Sequence, residues 1–150
     1  TKPDLVKLEK FGVKGTAATK DYDPFLNKLE EGMKARFKVV LNPTVSIKDS
    51  SNKSSRGKIV PLKSSGFSKF LLDRSEKNGF LLNKDDFLIT ERKIVTFKHN
   101  KNSKKINLDR VSYEGNLTVS DSKKMVDTLR RGIGKKKAYG FGLMTIILEN

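Results

Sequence analysis

The clearest pattern in this chain is alternation. Ala35, Phe37, Val39 and Leu41 alternate with Lys34, Arg36, Lys38 and Val40, a period of two that predicts a strand, and Asn42-Pro43 ends it. Val111, Tyr113, Gly115, Leu117 and Val119 form the longest run of this kind. Phe87 and Ile89, then Val95 and Phe97, predict an extended strand with a break near Glu91, and Phe141 to Leu148 is an apolar run of strand length. Ile59, Val60 and Leu62 suggest a short strand. Helical spacing occurs in three places. Asp23-Pro24 offers a cap and a first helical residue ahead of Phe25, Leu26 and Leu29, with Gly32 as the stop, about two turns in all. Ser64 or Ser65 can cap a helix carrying Phe67, Phe70, Leu71 and Arg74 and ending near Gly79. Ser120-Asp121 can cap a third, whose apolar face is Met125, Val126 and Leu129.

From Ile59 to Leu148 these elements run strand, helix, strand, strand, helix, strand. That order is the one of a ferredoxin-like α+β unit. Ahead of it, residues 1–47 hold one strand and little else. Residues 48–58 are small, polar and basic, and read as a loop or linker. The expected division is therefore a remnant of a second ferredoxin-like domain over 1–47, a basic linker over 48–58, and a C-terminal ferredoxin-like domain over 59–150. On that reading Lys34 to Leu41 is a lone strand with an open edge, able to recruit a missing N-terminal segment or another chain.

Charge changes the picture most. The chain carries 32 Lys and Arg against 17 Asp and Glu, a formal net charge of +15. Such an excess suits a polyanion, because each phosphate neutralised releases a condensed counterion. With no cysteine, disulfides and thiolate metal sites are excluded, and a single His excludes a multi-histidine site. Asp85-Asp86 and Glu30-Glu31 lack a metal-ligand arrangement, so no metal and no cofactor is expected. No run approaches the ~20 apolar residues of a membrane span. No signal-peptide pattern opens the chain, and the expected compartment is the cytoplasm.

Candidate chemistry concentrates between Arg130 and Gly142. Gly132, Gly134, Gly140 and Gly142 allow backbone angles closed to other residues, and Arg130, Arg131, Lys135, Lys136 and Lys137 interleave with them. Free N–H groups beside such cations make a phosphate cradle. A tight helix-to-strand turn with incidental lysines is the plainer alternative. The segment is neither a P-loop, since Lys136 rather than Ser or Thr follows Lys135, nor a dinucleotide fingerprint. Further phosphate-contact candidates are Arg56 and Lys58 near the end of the linker. Others are Lys101, Lys104 and Lys105 in a basic hairpin tip, His99 to Lys105. Tyr113, Tyr139 and Phe141 could stack on bases or belong to the core.

Two stretches carry a family resemblance. Val111-Ser112-Tyr113-Glu114-Gly115 to Asp121, a helix, and then Gly132-Ile133-Gly134-Lys135 to Lys137-Ala138-Tyr139-Gly140-Phe141-Gly142-Leu143 resemble the C-terminal signature of the CasE family of type I-E CRISPR-associated endoribonucleases. Tyr22 to Leu26, Arg36-Phe37, Leu41-Asn42-Pro43 and Arg56 to Leu62 are also similar to that family. The resemblance implies two RAMP-type ferredoxin-like domains and metal-independent cleavage of CRISPR repeat RNA at the base of a stem-loop. In that reaction a ribose 2′-hydroxyl attacks the adjacent phosphate, and the product RNA stays bound for a type I-E surveillance complex. It also implies a catalytic histidine in the first part of the N-terminal domain, a part this chain is read as lacking. No residue here matches that histidine. His99, the only one, falls at the basic tip and reads better as a solvated or RNA-contacting residue than as a general acid or base. Two other classes stay open: a non-catalytic RNA-binding subunit of the same fold, and an unrelated basic protein of ribosomal type, against which the glycine loop argues.

Overall fold

A computed structural model of the chain describes residues 3–48, 57–98 and 104–149. The inner strand of its main sheet is β1 (Lys34–Leu41), where the alternation places Ala35, Phe37, Val39 and Leu41 inward. On one side β1 pairs antiparallel with β6 (Ile106–Val119), from Lys34↔Thr118 to Leu41↔Val111. On the other it pairs with β7 (Met144–Leu148), from Ala35↔Leu148 to Val39↔Met144. The far side of β6 takes β5 (Phe87–Phe97) and the two-residue β4 (Phe80–Leu81), both antiparallel. Across the sheet the strands therefore run β7, β1, β6, then β5 and β4.

Two helices pack their apolar faces into the core. The first, α3 (Phe67–Ser75), buries Phe67, Phe70 and Leu71, and α4 (Ser122–Arg131) buries Met125, Thr128 and Leu129. All of these except Thr128 join the inward residues of β1 and β6 in one hydrophobic cluster. Tyr113 lies at its centre, fully buried, and its hydroxyl donates to the carbonyl of Phe67 (3.2 Å). Burial pushes the Tyr113 hydroxyl pKa up from the usual phenol value. Phe141 is buried too, and Tyr139 is half-buried against Phe97 at 5.0 Å between ring centres. Of the three aromatics with two open readings, two are core.

The β–α–β–β–α–β order is present, but its first strand is Lys34–Leu41 and not Ile59–Leu62. The segment Lys58–Pro61 (β3) pairs instead with β2 (Thr44–Ile47) as a separate two-stranded ribbon. Burial explains the exchange. Four side chains of β1 can be fully removed from water, whereas Ile59 stays 51% exposed and Val60 half-buried. Two expectations fall with this. Lys34 to Leu41 has no open edge, being paired on both sides, and it does not belong to a unit apart from 59–150. The strands on either side of the predicted linker pair with each other, Ile47 facing Lys58, and residues 49–56 lie outside the described residues.

Smaller differences have local causes. The predicted two-turn helix is one turn, α2 (Asp23–Leu26), because the Gly32 N–H bonds to the Val119 carbonyl and draws the chain into β1. A second single turn, α1 (Leu5–Leu8), precedes it. Ser64 and Ser65 do not cap α3; they form a 3₁₀ turn leading into it. Gly79 ends the helical run in the left-handed region at φ 83°. The break near Glu91 is a register shift between Ile89 and Glu91 within a continuous β5.

Asp121 caps α4 as expected, its carboxylate accepting from the Lys124 N–H (2.9 Å). A side-chain hydrogen bond from Lys124, then the backbone bond, hold its carboxyl below the ordinary Asp value. A depressed folded-state value means that the contribution to stability is complete above the unfolded pKa, ~3.9, and lost as pH falls through the lower folded value. Asp121→Asn is therefore expected to lower the melting temperature at pH 7 and to flatten its decline with acid below pH ~4. Thermal melts of both proteins from pH 7 to 2 check this.

Candidate nucleic-acid interface

The loop from Gly132 to Leu143 follows α4 directly and returns the chain to β7. Its base is closed by the backbone. The Ile133 N–H donates to the Gly142 carbonyl (2.8 Å) and the Gly142 N–H to the Val40 carbonyl of β1 (2.8 Å). Ile133 fills the space beneath, fully buried, so the loop is anchored both to the sheet and to the core. Gly142 sits at φ 88°, and a Cβ there would lie 2.3 Å from the Ile133 carbonyl oxygen. No other residue fits so close an approach. Above this base, Lys136 itself adopts φ 68°, and Lys137–Tyr139 forms a single 3₁₀ turn.

The result is a rigid stem carrying an exposed tip. Lys135, Lys136 and Lys137 are all exposed and form no ion pair among the described residues. The Lys136 ammonium lies 5.5 Å from the centre of the Tyr139 ring, a weak restraint on a long side chain. Arg130 and Arg131 differ. Each is held by a carboxylate, Arg130 by Asp23 (2.8 Å) and Arg131 by Asp127 (2.7 Å). Both pairs are exposed, so each is worth little and a phosphate could displace it. Gly134 and Gly140 are both in the left-handed region; a Cβ on Gly134 would touch the Leu41 side chain at 4.0 Å, whereas Gly140 has open space around it.

Other expected contacts divide into three sets. Lys58 begins β3, and Lys104 and Lys105 lead into β6, all exposed. The segments they flank meet the glycine loop, because Ile59, Asn107, Lys135 and Lys136 line one cavity. His99, Lys101 and Arg56 lie outside the described residues.

Two features of this end of the molecule were not legible as functional in the sequence. Asn42 appeared only as a strand terminator, yet its side chain is buried, and its Nδ2 donates to the Asp109 carbonyl (2.8 Å). On β5 and β6, Glu91 binds Arg110 and Lys93, and Arg92 binds Asp109 (3.3 Å). The Lys93 hydrogen bond, ahead of the nearby charges, holds the Glu91 carboxyl below its ordinary value. The periodic pattern marked these residues as solvent-facing and could not show that they meet across strands.

The sheet face turned away from the helices continues this polar surface. Arg36 stands opposite Asn116 and Ile147, and Lys38 is paired with Glu114 at 2.7 Å. Among the described residues no group of three or more His, Cys, Asp or Glu side chains is placed to hold a metal ion. No described helix is long and apolar enough to cross a membrane.

Fold and loop together define the class: an α+β protein with an antiparallel sheet and a lysine-tipped glycine loop on its last helix-to-strand connection. The comparisons with known proteins narrow it. The family described as CRISPR associated protein matches residues 1–147. The CRISPR-associated endoribonuclease Cse3 of Thermus thermophilus is 31% identical over 159 residues, covering 97% of this chain. A Cse3 structure bound to 19 nt RNA superposes with a TM-score of 0.68 at 29% identity over 79% of this chain. A chain of a CRISPR RNA-guided surveillance complex, pre-nicking, gives 0.63 at 26% identity over 87% of it. This chain belongs to the CRISPR-associated Cse3/Cas6e family. It spans 69% of the curated relative's length, 58% of the RNA-bound chain and 60% of the complex subunit.

Proposed function

We propose that the protein grips a CRISPR repeat stem-loop through the glycine loop and serves its processing by metal-independent cleavage, with the product RNA retained for a type I-E surveillance complex. The observation that carries this reading is the loop itself: three exposed lysines, without an ion pair among the described residues, on a backbone fixed to both sheet and core, in a family whose relatives have been solved with RNA. A preorganised cationic tip suits an A-form stem, which is recognised through phosphates, 2′-hydroxyls and shape rather than through base edges. Lys58, Lys104 and Lys105 extend the positive surface along the adjoining strands. Arg130 and Arg131 join it once phosphate replaces Asp23 and Asp127.

A second reading is a non-catalytic RNA-binding subunit of the same fold, which the exposed cationic loop would serve equally well. The chemistry of cleavage needs a group to take the 2′-hydroxyl proton and another to protonate the leaving 5′-oxygen. The loop lysines can stabilise the charge that develops on the phosphoryl oxygens.

One experiment separates the readings. A labelled repeat hairpin is incubated with the protein in EDTA, beside a scrambled hairpin and one carrying a 2′-deoxy group at the cut site. Cleavage that the 2′-deoxy group abolishes establishes the endoribonuclease and makes His99 the first residue to replace. Selective binding without cleavage establishes the binding subunit. Equal, weak binding to every RNA would sink both.

A further inference from the structure

We infer that the cavity between the β2–β3 ribbon and the glycine loop holds a single unpaired nucleobase, cytosine preferred, whose amino group is read by Asn42. The inference rests on the RNA-binding reading above and adds a base-specific contact to it.

The cavity measures about 200 Å³ and is lined by Asn42, Ile59, Pro61, Leu108, Lys135 and Lys136 among others. An enclosed cavity of about 150 Å³ accepts benzene, so this one has room for a single ring. Its chemistry is uneven. Ile59, Pro61 and Leu108 give an apolar wall suited to the face of a flat ring. Lys135 and Lys136 belong to the exposed loop tip, where a phosphate attached to that ring would lie.

Asn42 supplies the specific element. It is only 4% exposed and lies just past the end of β1, where Leu41↔Val111 closes the pairing with β6. Its Nδ2 donates to the Asp109 carbonyl, which fixes the amide orientation, because the flipped form would set two oxygens against each other. That leaves Oδ1 buried, with no donor among the described residues. A buried acceptor without a partner is rare and unfavourable, and a ligand N–H satisfies it. On the same wall, Asn107 accepts from Thr96 through its Oδ1 (2.8 Å), which leaves its amide nitrogen to donate.

An acceptor and a donor carried by two residues that line a one-ring cavity complement cytosine, whose N4 amino group adjoins the N3 acceptor. Uracil would instead set its O4 against Asn42 Oδ1, acceptor against acceptor. Bases inside a stem cannot enter, so the ligand is a nucleotide flanking the stem or in its loop. Oδ1 is itself closed to water in this structure, so the base meets it as side chains lining the cavity shift.

The test uses the full chain and a labelled repeat hairpin with single-stranded flanks. Each unpaired position is replaced in turn by an abasic residue, and each unpaired cytosine by uracil, with Kd measured throughout. We expect one unpaired cytosine at which either change weakens binding about tenfold. At that position Asn42→Leu should bind cytosine and uracil RNA equally. Ile59→Trp, which fills the cavity from an exposed position and leaves the core untouched, should do the same should Asn42→Leu fail to fold. Tight hairpin binding that is indifferent to every unpaired base would overturn the inference, a water then satisfying Asn42, while leaving the RNA reading in place. Failure to bind any RNA would overturn the RNA reading, and the inference with it.

Discussion

Replacing Lys135, Lys136 and Lys137 together by glutamine is expected to lower repeat-hairpin affinity on the order of 10²-fold near 0.1 M salt, with the fold intact. The magnitude follows from counterion release. Each phosphate contact on a duplex contributes about 0.9 to the slope of log K against log salt, hence about 0.9 log unit per contact at 0.1 M. Three contacts give an upper figure of several hundred-fold and a slope shallower by about 2 to 3. The three side chains are exposed and form no hydrogen bond or ion pair within the described protein, so their removal leaves no buried group unsatisfied. Arg130→Gln and Arg131→Gln should each do less, because each arginine must leave a carboxylate before it meets phosphate. Binding measured from 50 to 300 mM salt reads both quantities. A triple variant with unchanged slope would show that the loop is a turn with incidental lysines, and that the stem is held elsewhere.

The second large effect concerns the backbone beneath those lysines. Gly142→Ala should destabilise the protein by about 3 kcal/mol or more, because two penalties combine there. At φ 88° an alanine is strained, and its Cβ would stand 2.3 Å from the Ile133 carbonyl oxygen, against backbone that cannot move without breaking the Ile133–Gly142 bond. Gly140→Ala is the control. It shares the left-handed conformation, φ 81°, but nothing lies within 4 Å of its Cβ, so only the strain of about 1 to 2 kcal/mol remains. Urea denaturation of the three proteins should rank them native, Gly140→Ala, Gly142→Ala. Equal losses in the two variants would mean that the loop base opens freely. In that case Gly142 does not anchor the lysine tip to β1.

Both predictions depend on the loop, which was legible early because its signal is local. Glycines at Gly132, Gly134, Gly140 and Gly142 among lysines state their own backbone requirement, and the order of elements after them needed no partner strand to be read. The cap at Asp121 and the inward faces of β1 and β6 were equally plain, since period and capping chemistry are properties of neighbouring residues.

What failed was pairing. Ile59, Val60 and Leu62 and the run from Ala35 to Leu41 both read as strands, and nothing in either says which one opens the sheet. Proximity favours the strand nearer in sequence to the following helix, and no rule of spacing favours one that starts 24 residues further back. Asn42 was missed for the same reason: its partner, Asp109, lies 67 residues away.

The sequence by itself therefore determined the positive charge, the strand and helix faces, the cap of α4 and the glycine loop that places this chain in its family. Only the tertiary structure decided that Lys34–Leu41 is the paired inner strand, that Thr44–Ile47 pairs with Lys58–Pro61 as a ribbon, and that Asn42 ends up buried beside a cavity at the lysine tip. Local conformation is set by residues a few positions apart. Strand partnership is set by which pairing buries the most apolar surface, and that is a comparison among distant segments that no one of them carries.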